Sequence, residues 1–155
     1  MILVTNRNII EQENVENRFG DTFNKKGPDE LRLAEVTKEN GEWKLEIAKE
    51  DGDMPPSEQM FIKLQKKMSE DSRNCIFFVH GFNNNLEEVL ERSLEFEKNF
   101  NTEVIAFTWP ANGGGIRGAT SYKSDKRDAK MSVNALDRCF EKLHRYLQKH
   151  QKTAC

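Results

Sequence analysis

Apolar and polar positions follow two rhythms along the chain, and each change of rhythm marks an element. Met1–Thr5 is a short apolar, β-prone run that stops at Asn6-Arg7-Asn8, and it reads as a first strand. Ile9–Lys26 is polar, with Phe19-Gly20 and Phe23 as its only obvious anchors, and reads as an irregular loop closed by Gly27-Pro28. Leu31–Ala48 reads as a hairpin around Asn40-Gly41, a pair suited to a type I′ turn because both central residues there need positive φ. A two-residue turn pairs Glu39 with Glu42, Val36 with Leu45 and Ala34 with Ile47. Trp43, Leu45 and Ile47 then share a face with Ala34 and Val36, while Lys44, Glu46 and Thr37 take the other. Leu31 and Leu33 fall partly on that opposite face, which predicts cover on both sides of the first hairpin strand.

Beyond the turn-rich link Asp51–Pro56 the period lengthens. Phe61, Leu64 and Met68 recur at helical spacing as far as Ser72, with Ser57 as the expected N-cap and Glu58 in the first turn. Cys75–Val79 is an uninterrupted apolar run, the pattern of a strand buried on both faces in a parallel sheet. His80-Gly81-Phe82 turns the chain, Asn85-x-x-Glu88 has the form of a capping box, and Leu86, Val89, Leu90 and Leu94 line one helical stripe. Glu103–Thr108 is a second apolar strand, so a βαβ unit with parallel strands is expected. Trp109-Pro110 ends it, and Asn112–Gly115 opens a loop running to about Ser121. One long helix is expected from about Ser124 to Lys149, capped by Ser124 or Asp125, with Ala129, Val133, Leu136, Phe140, Leu143 and Leu147 as its apolar stripe. The fold class is α/β: a mixed sheet with an N-terminal antiparallel hairpin and a parallel βαβ unit, flanked by helices, in a single domain over residues 1–155.

Composition narrows the chemistry. A net charge of −2 gives no general attraction to nucleic acid or to acidic membrane surfaces, so neither is expected as a partner. Cys75, Cys139 and Cys155 are too few and too scattered for a disulfide framework, and a reducing, cytoplasmic setting is expected. Cys75 reads as a buried, inert thiol, Cys139 as a core or boundary residue and His144 as a surface one. There is no C-x-x-C pair and no clustering of His with Cys at metal-ligand spacing, so no metal and no cofactor is expected. Gly113–Gly115 is not followed by Gly-Lys-Ser/Thr and reads as a rim loop, not a phosphate cradle. Lys123–Lys130 alternates in sign and reads as the solvated start of the last helix.

The turn after the apolar run carries the candidate chemistry, because ligands in open α/β sheets gather at strand carboxyl ends. The order strand, His80-Gly81-Phe82-Asn83-Asn84, helix, then EVIAFTWPANG, resembles the α/β-hydrolase superfamily. Within it the chain is most similar to a bacterial hydrolase-like family of unknown function with a VHG-x-NN … WP pattern, and the opening LVTNR looks like that family's first strand. The resemblance implies that the backbone N–H of Phe82 serves as one oxyanion donor, with Gly81 admitting a close approach and His80 supporting the loop, not acting as the triad base. Asn83, Asn84, Trp109 and Pro110 would then line a substrate site. The nucleophile elbow G-x-S-x-G does not occur in the sequence, nor do a later acid and base in that context. The chain therefore resembles the N-terminal half of a serine hydrolase, catalytically incomplete alone. Self-association or a complementing C-terminal half is expected, with a small-molecule ester or amide as substrate only on completion. An unpaired sheet edge at Glu103–Thr108 is expected to drive that association. The rival reading is a non-enzymatic interaction module that kept the scaffold.

Overall fold

The computed structural model describes residues 1–11, 14–15, 18–50, 52–82, 84–111 and 118–151. Seven strands and four helices follow one another among these residues: β1 (Ile2–Thr5), β2 (Arg7–Ile9), β3 (Phe19–Phe23), β4 (Arg32–Glu39), β5 (Glu42–Ile47), α1 (Pro56–Asp71), β6 (Asn74–Val79), α2 (Leu86–Phe100), β7 (Thr102–Thr108), α3 (Gly118–Met131) and α4 (Val133–Gln151). The main sheet has five strands in the order β5-β4-β1-β7-β6. β6, β7 and β1 run parallel, and β4 and β5 are antiparallel to their neighbours.

Alternation along the strands builds two cores. Leu3, Ala34, Val36, Trp43, Val104 and Ala106 face α2, whose Leu86, Val89 and Leu90 are buried against them. Val4, Ile105 and Phe107 face the other way, onto Leu64 of α1 and Ala135 of α4. Leu31 and Leu33 join this second core, so β4 is covered on both sides as its sequence predicts. The hairpin register also follows the turn chemistry: Ala34 pairs with Ile47, Val36 with Leu45 and Glu39 with Glu42, and Asn40 and Gly41 both have positive φ.

Several expectations are corrected. The supposed loop Ile9–Lys26 contains strand: β2 and β3 form a two-stranded sheet, and Phe19 is buried in the α2-side core. One buried anchor, with little alternation around it, left no strand signal to read. Helix α1 begins at Pro56 with Pro55 at the cap position, because proline at the first helical residue loses no hydrogen bond there. Ser57 lies inside the helix, and its hydroxyl meets the Tyr146 hydroxyl of α4 at 2.7 Å.

The apolar run Cys75–Val79 is not fully buried. It forms β6 at the sheet edge, with Cys75–Phe78 half-buried and Val79 exposed. Cover on both faces produces an apolar run whether or not the outer edge is paired. The fully buried strand is β7, which lies between β1 and β6, so the expected open edge at Glu103–Thr108 belongs instead to β6.

The single long helix is two. Ser132 separates α3 from α4; its hydroxyl donates back to the Asp128 carbonyl at 2.8 Å and accepts from Asn6 Nδ2 at 3.0 Å. Such back-bonding competes with the helical ladder and bends helices. Asp125 lies within α3 and does not cap it, and both Asp125 and Asp128 are buried, so this segment is not a simple solvated start. In α4 the inward side is Ala135, Leu136, Cys139, Leu143 and Tyr146. Val133 is 57 % exposed, Phe140 43 % and Leu147 37 %, so three members of the expected stripe sit at its outer margin. No helix among the described residues is long and apolar enough to cross a membrane.

Candidate functional site

The parallel strands β1, β7 and β6 all run towards the same end of the sheet, and the residues just beyond them meet there. His80 follows β6, Thr108 closes β7, Trp109 follows it, and Arg7 stands just past β1. All four are buried. The burial of His80 has a direct cause: the Trp109 indole lies over its ring, with centroids 3.9 Å apart and planes 17° from parallel.

Hydrogen bonds fix the imidazole on both sides. The Trp109 backbone N–H donates to His80 Nε2 at 3.1 Å, so Nε2 is the bare nitrogen. Nδ1 lies 2.8 Å from the Gly81 carbonyl oxygen, which can only accept, so Nδ1 carries the proton. The Thr108 hydroxyl reaches Nε2 at 3.0 Å and accepts from Arg7 Nε at 3.1 Å. Burial, assisted by the Arg7 charge, lowers the His80 pKa to about 4, so the ring is neutral at pH 7. A neutral ring with both nitrogens engaged is an anchor: it ties the loop after β6 to the end of β7.

Arg7 is the group that the sequence reading missed. Its Nη1 donates to the Gly20 carbonyl and to Asp21 Oδ1, each at 3.2 Å, while Nη2 has no hydrogen-bond partner among the described residues. Burial lowers its pKa to about 10, partly offset by Asp21 and Asp125, so it stays charged at neutral pH. A polar Asn-Arg-Asn after an apolar strand looks like a solvated turn, and nothing local says that Arg7 will open a strand and be covered by β3.

The remaining candidates divide. Gly81 is exposed, a Cβ there would meet nothing within 4 Å, and its φ is not positive, so this chain's own packing does not demand glycine. Phe82 is 45 % exposed. Asn84 is half-buried and its amide nitrogen lies 3.5 Å from Glu88 Oε2, turned towards the start of α2. Asn85 and Glu88 form a complete capping box there. Trp109 and Pro110 are buried behind the loop. Asn83, like the glycine run Gly113–Gly115, lies outside the described residues. His80, Gly81, Phe82, Trp109 and Pro110 thus gather at one end of the sheet, and Asn84 belongs to the helix start.

The cysteines sit elsewhere. Burial pushes the thiols of Cys75 and Cys139 up to about 11, so neither is a thiolate at neutral pH. Among the described residues no cluster of three or more His, Cys, Asp or Glu side chains could hold a metal ion.

No curated protein and no solved structure matches the chain. The family model described as an alpha/beta hydrolase of unknown function (DUF900) does match, over residues 57–153. That span holds β6, α2, β7 and the His80-Gly81 and Trp109-Pro110 motifs, while Arg7 and β1 precede it. The match covers more than half of the chain, and the protein belongs to this alpha/beta hydrolase family of unknown function.

Proposed function

We propose that this chain supplies the oxyanion side of a serine-hydrolase-type site, and that ester or amide hydrolysis requires a further strand bearing the nucleophile. One observation carries this reading: His80 Nδ1 holds the Gly81 carbonyl at 2.8 Å, at the carboxyl end of a parallel strand. A peptide held from behind in this way is a rigid mount for an N–H donor, which oxyanion stabilisation needs. Side chains of the buried anchor do no chemistry in this scheme; the backbone amide of Phe82 does.

Topology supports a position for the missing strand. The crossover from β6 to β7 runs over the α2 face, and the chain leaving β7 runs over the opposite face, where Phe140 of α4 meets Phe77 of β6 at 4.6 Å. Right-handed crossovers on opposite faces travel in opposite directions across a sheet. A strand continuing from α4 would therefore add beyond β6, beside the loop that carries Gly81 and Phe82. In a reducing cytoplasm, Cys75 and Cys139 would remain free thiols, as they are here.

The test is completion. The DNA after the Cys155 codon is read for a frame encoding G-x-S-x-G and a later Asp and His, and the two parts are produced together. The expected result is hydrolysis of an activated ester and fluorophosphonate labelling of the added serine, with Gly81→Ala lowering kcat. Labelling of a serine in the isolated chain would overturn the scheme. A second reading, an interaction module without chemistry, is favoured by the absence of G-x-S-x-G from the sequence. It gains if no such frame exists and neither preparation reacts.

A further inference from the structure

Arg7 is a fully buried cation in a small protein, and a well-packed apolar residue would usually serve stability as well or better. Its connections suggest what it does. The Trp109 N–H and the Thr108 hydroxyl both approach His80 Nε2; since that nitrogen bears no proton, the hydroxyl hydrogen is the one donated. The Thr108 oxygen then has its lone pairs for Arg7 Nε–H. On the far side of the ring, Nδ1–H donates to the Gly81 carbonyl. Every bond in the series points the same way, from guanidinium to threonine to histidine to carbonyl.

The last link is covalent. The Gly81 carbonyl and the Phe82 N–H are the two ends of one planar trans peptide, and in a trans peptide they point in opposite directions. Holding the carbonyl against His80 therefore aims the Phe82 N–H away from it. Aligned hydrogen bonds polarise one another, by about 10–30 % per bond in condensed-phase estimates, and a buried charge at the head of the series acts in the same sense. We propose that Arg7 is a positioning residue of the oxyanion loop, acting through Thr108 and His80 to fix the plane of the Gly81–Phe82 peptide and to strengthen its N–H as a donor. Its catalytic consequence rests on the proposed role of Phe82; the relay itself does not.

Nuclear magnetic resonance on the isolated, ¹⁵N-labelled chain reads the relay without any activity. Arg7→Met removes the head of the series, and Thr108→Val removes the hydroxyl that joins that head to the ring. Each is expected to move the His80 Nδ1 proton and the Phe82 amide proton upfield together. The double variant should move them no further than Thr108→Val alone, because without the hydroxyl Arg7 has no path to the ring. Thr108→Ser keeps the hydroxyl and should keep the native positions. Trp109 still donates to Nε2 in all of them, so the Nδ1–H form itself should persist. If Arg7→Met does not fold, the Thr108→Val and Thr108→Ser pair decides alone. Unmoved resonances in Thr108→Val, or shifts that simply add in the double variant, would overturn the relay. In the completed hydrolase, Thr108→Val should lower kcat and leave KM unchanged. An intact relay by resonance with no effect on kcat would sink the role of Phe82 and leave the relay standing.

Discussion

Trp109 both covers His80 and binds it: the indole stacks on the imidazole at 3.9 Å while the Trp109 backbone N–H donates to Nε2. One residue thus removes the ring from water and occupies the lone pair on which a second proton would sit. The pKa of His80 falls from 6.5 to about 4 chiefly through that burial.

The consequence for stability has a definite sign. Between pH 6.5 and about 4 the unfolded chain binds a proton that the folded chain refuses, so stability falls as the solution is acidified. The full loss is roughly 3 kcal/mol, at about 1.4 kcal/mol for each tenfold difference in proton affinity between the folded and unfolded chains. Urea unfolding of the wild type and of His80→Asn, compared from pH 7.5 to 4, should show the wild-type advantage shrinking by that order. A gap that stays constant across this window would contradict the assignment, as would a His80 ring that titrates near 6.5 in proton-resonance spectra.

The start of α2 sits directly after the loop and can be perturbed separately. Asn85 Oδ1 accepts from the Glu88 N–H and Glu88 Oε2 accepts from the Asn85 N–H, both at 2.9 Å. Asn85→Ala should cost about 1 kcal/mol, the usual penalty for losing such a cap. Glu88→Ala added to it should cost less than it does alone, since the two bonds are reciprocal. Thermal unfolding of the four proteins in the cycle provides the check.

What could be read in the sequence, and what could not, follows from the range of the forces involved. The hairpin register came from the Asn40-Gly41 turn and strict alternation, and the α2 cap from two residues three apart; both are local. The βαβ unit was visible because each element has its own period. Three features were not visible. The edge position of β6 depends on which strand inserts where, and its apolar run reports only that both faces are covered. The break at Ser132 is held by Asn6, 126 positions away. Arg7 is buried by contacts to Gly20 and Asp21 of β3 and to Thr108 of β7, none of them neighbours in sequence. The candidate site was therefore legible in its loop, His80-Gly81-Phe82, and illegible in the polar network behind it.

The two thiols outside that network should behave as buried ones. In a Cys155→Ser variant, Cys75 and Cys139 should react with a disulfide reagent at pH 8 far more slowly than free cysteine, because pKa values of about 11 leave little thiolate and both are partly covered. Denaturant should restore the full rate. Fast labelling of either thiol in the folded protein would show that α4 or β6 opens readily, and would return Cys139 to consideration as a reactive group.

The outer edge of β6 is an exposed liability of the fold. Among the described residues no strand pairs with it, so its outward N–H and C=O groups form a template for another strand. The surroundings are apolar as well: Val79 is exposed at its end, Phe140 lies partly open over Phe77, and Phe100 at the end of α2 is 65 % exposed. Apolar surface on both sides of an unpaired edge favours addition of a strand with its flanking helix over simple stickiness. Light scattering across a range of concentrations should therefore show the chain self-associating when it is alone. Val79→Lys, which puts a charge where natural proteins put one to protect an edge, should shift the mass towards the monomer without lowering the unfolding temperature. A complementing chain that pairs with β6 should compete with self-association and abolish it at equimolar ratio. A wild-type chain that stays monomeric at every concentration would count against both the edge and the partner that it is expected to receive.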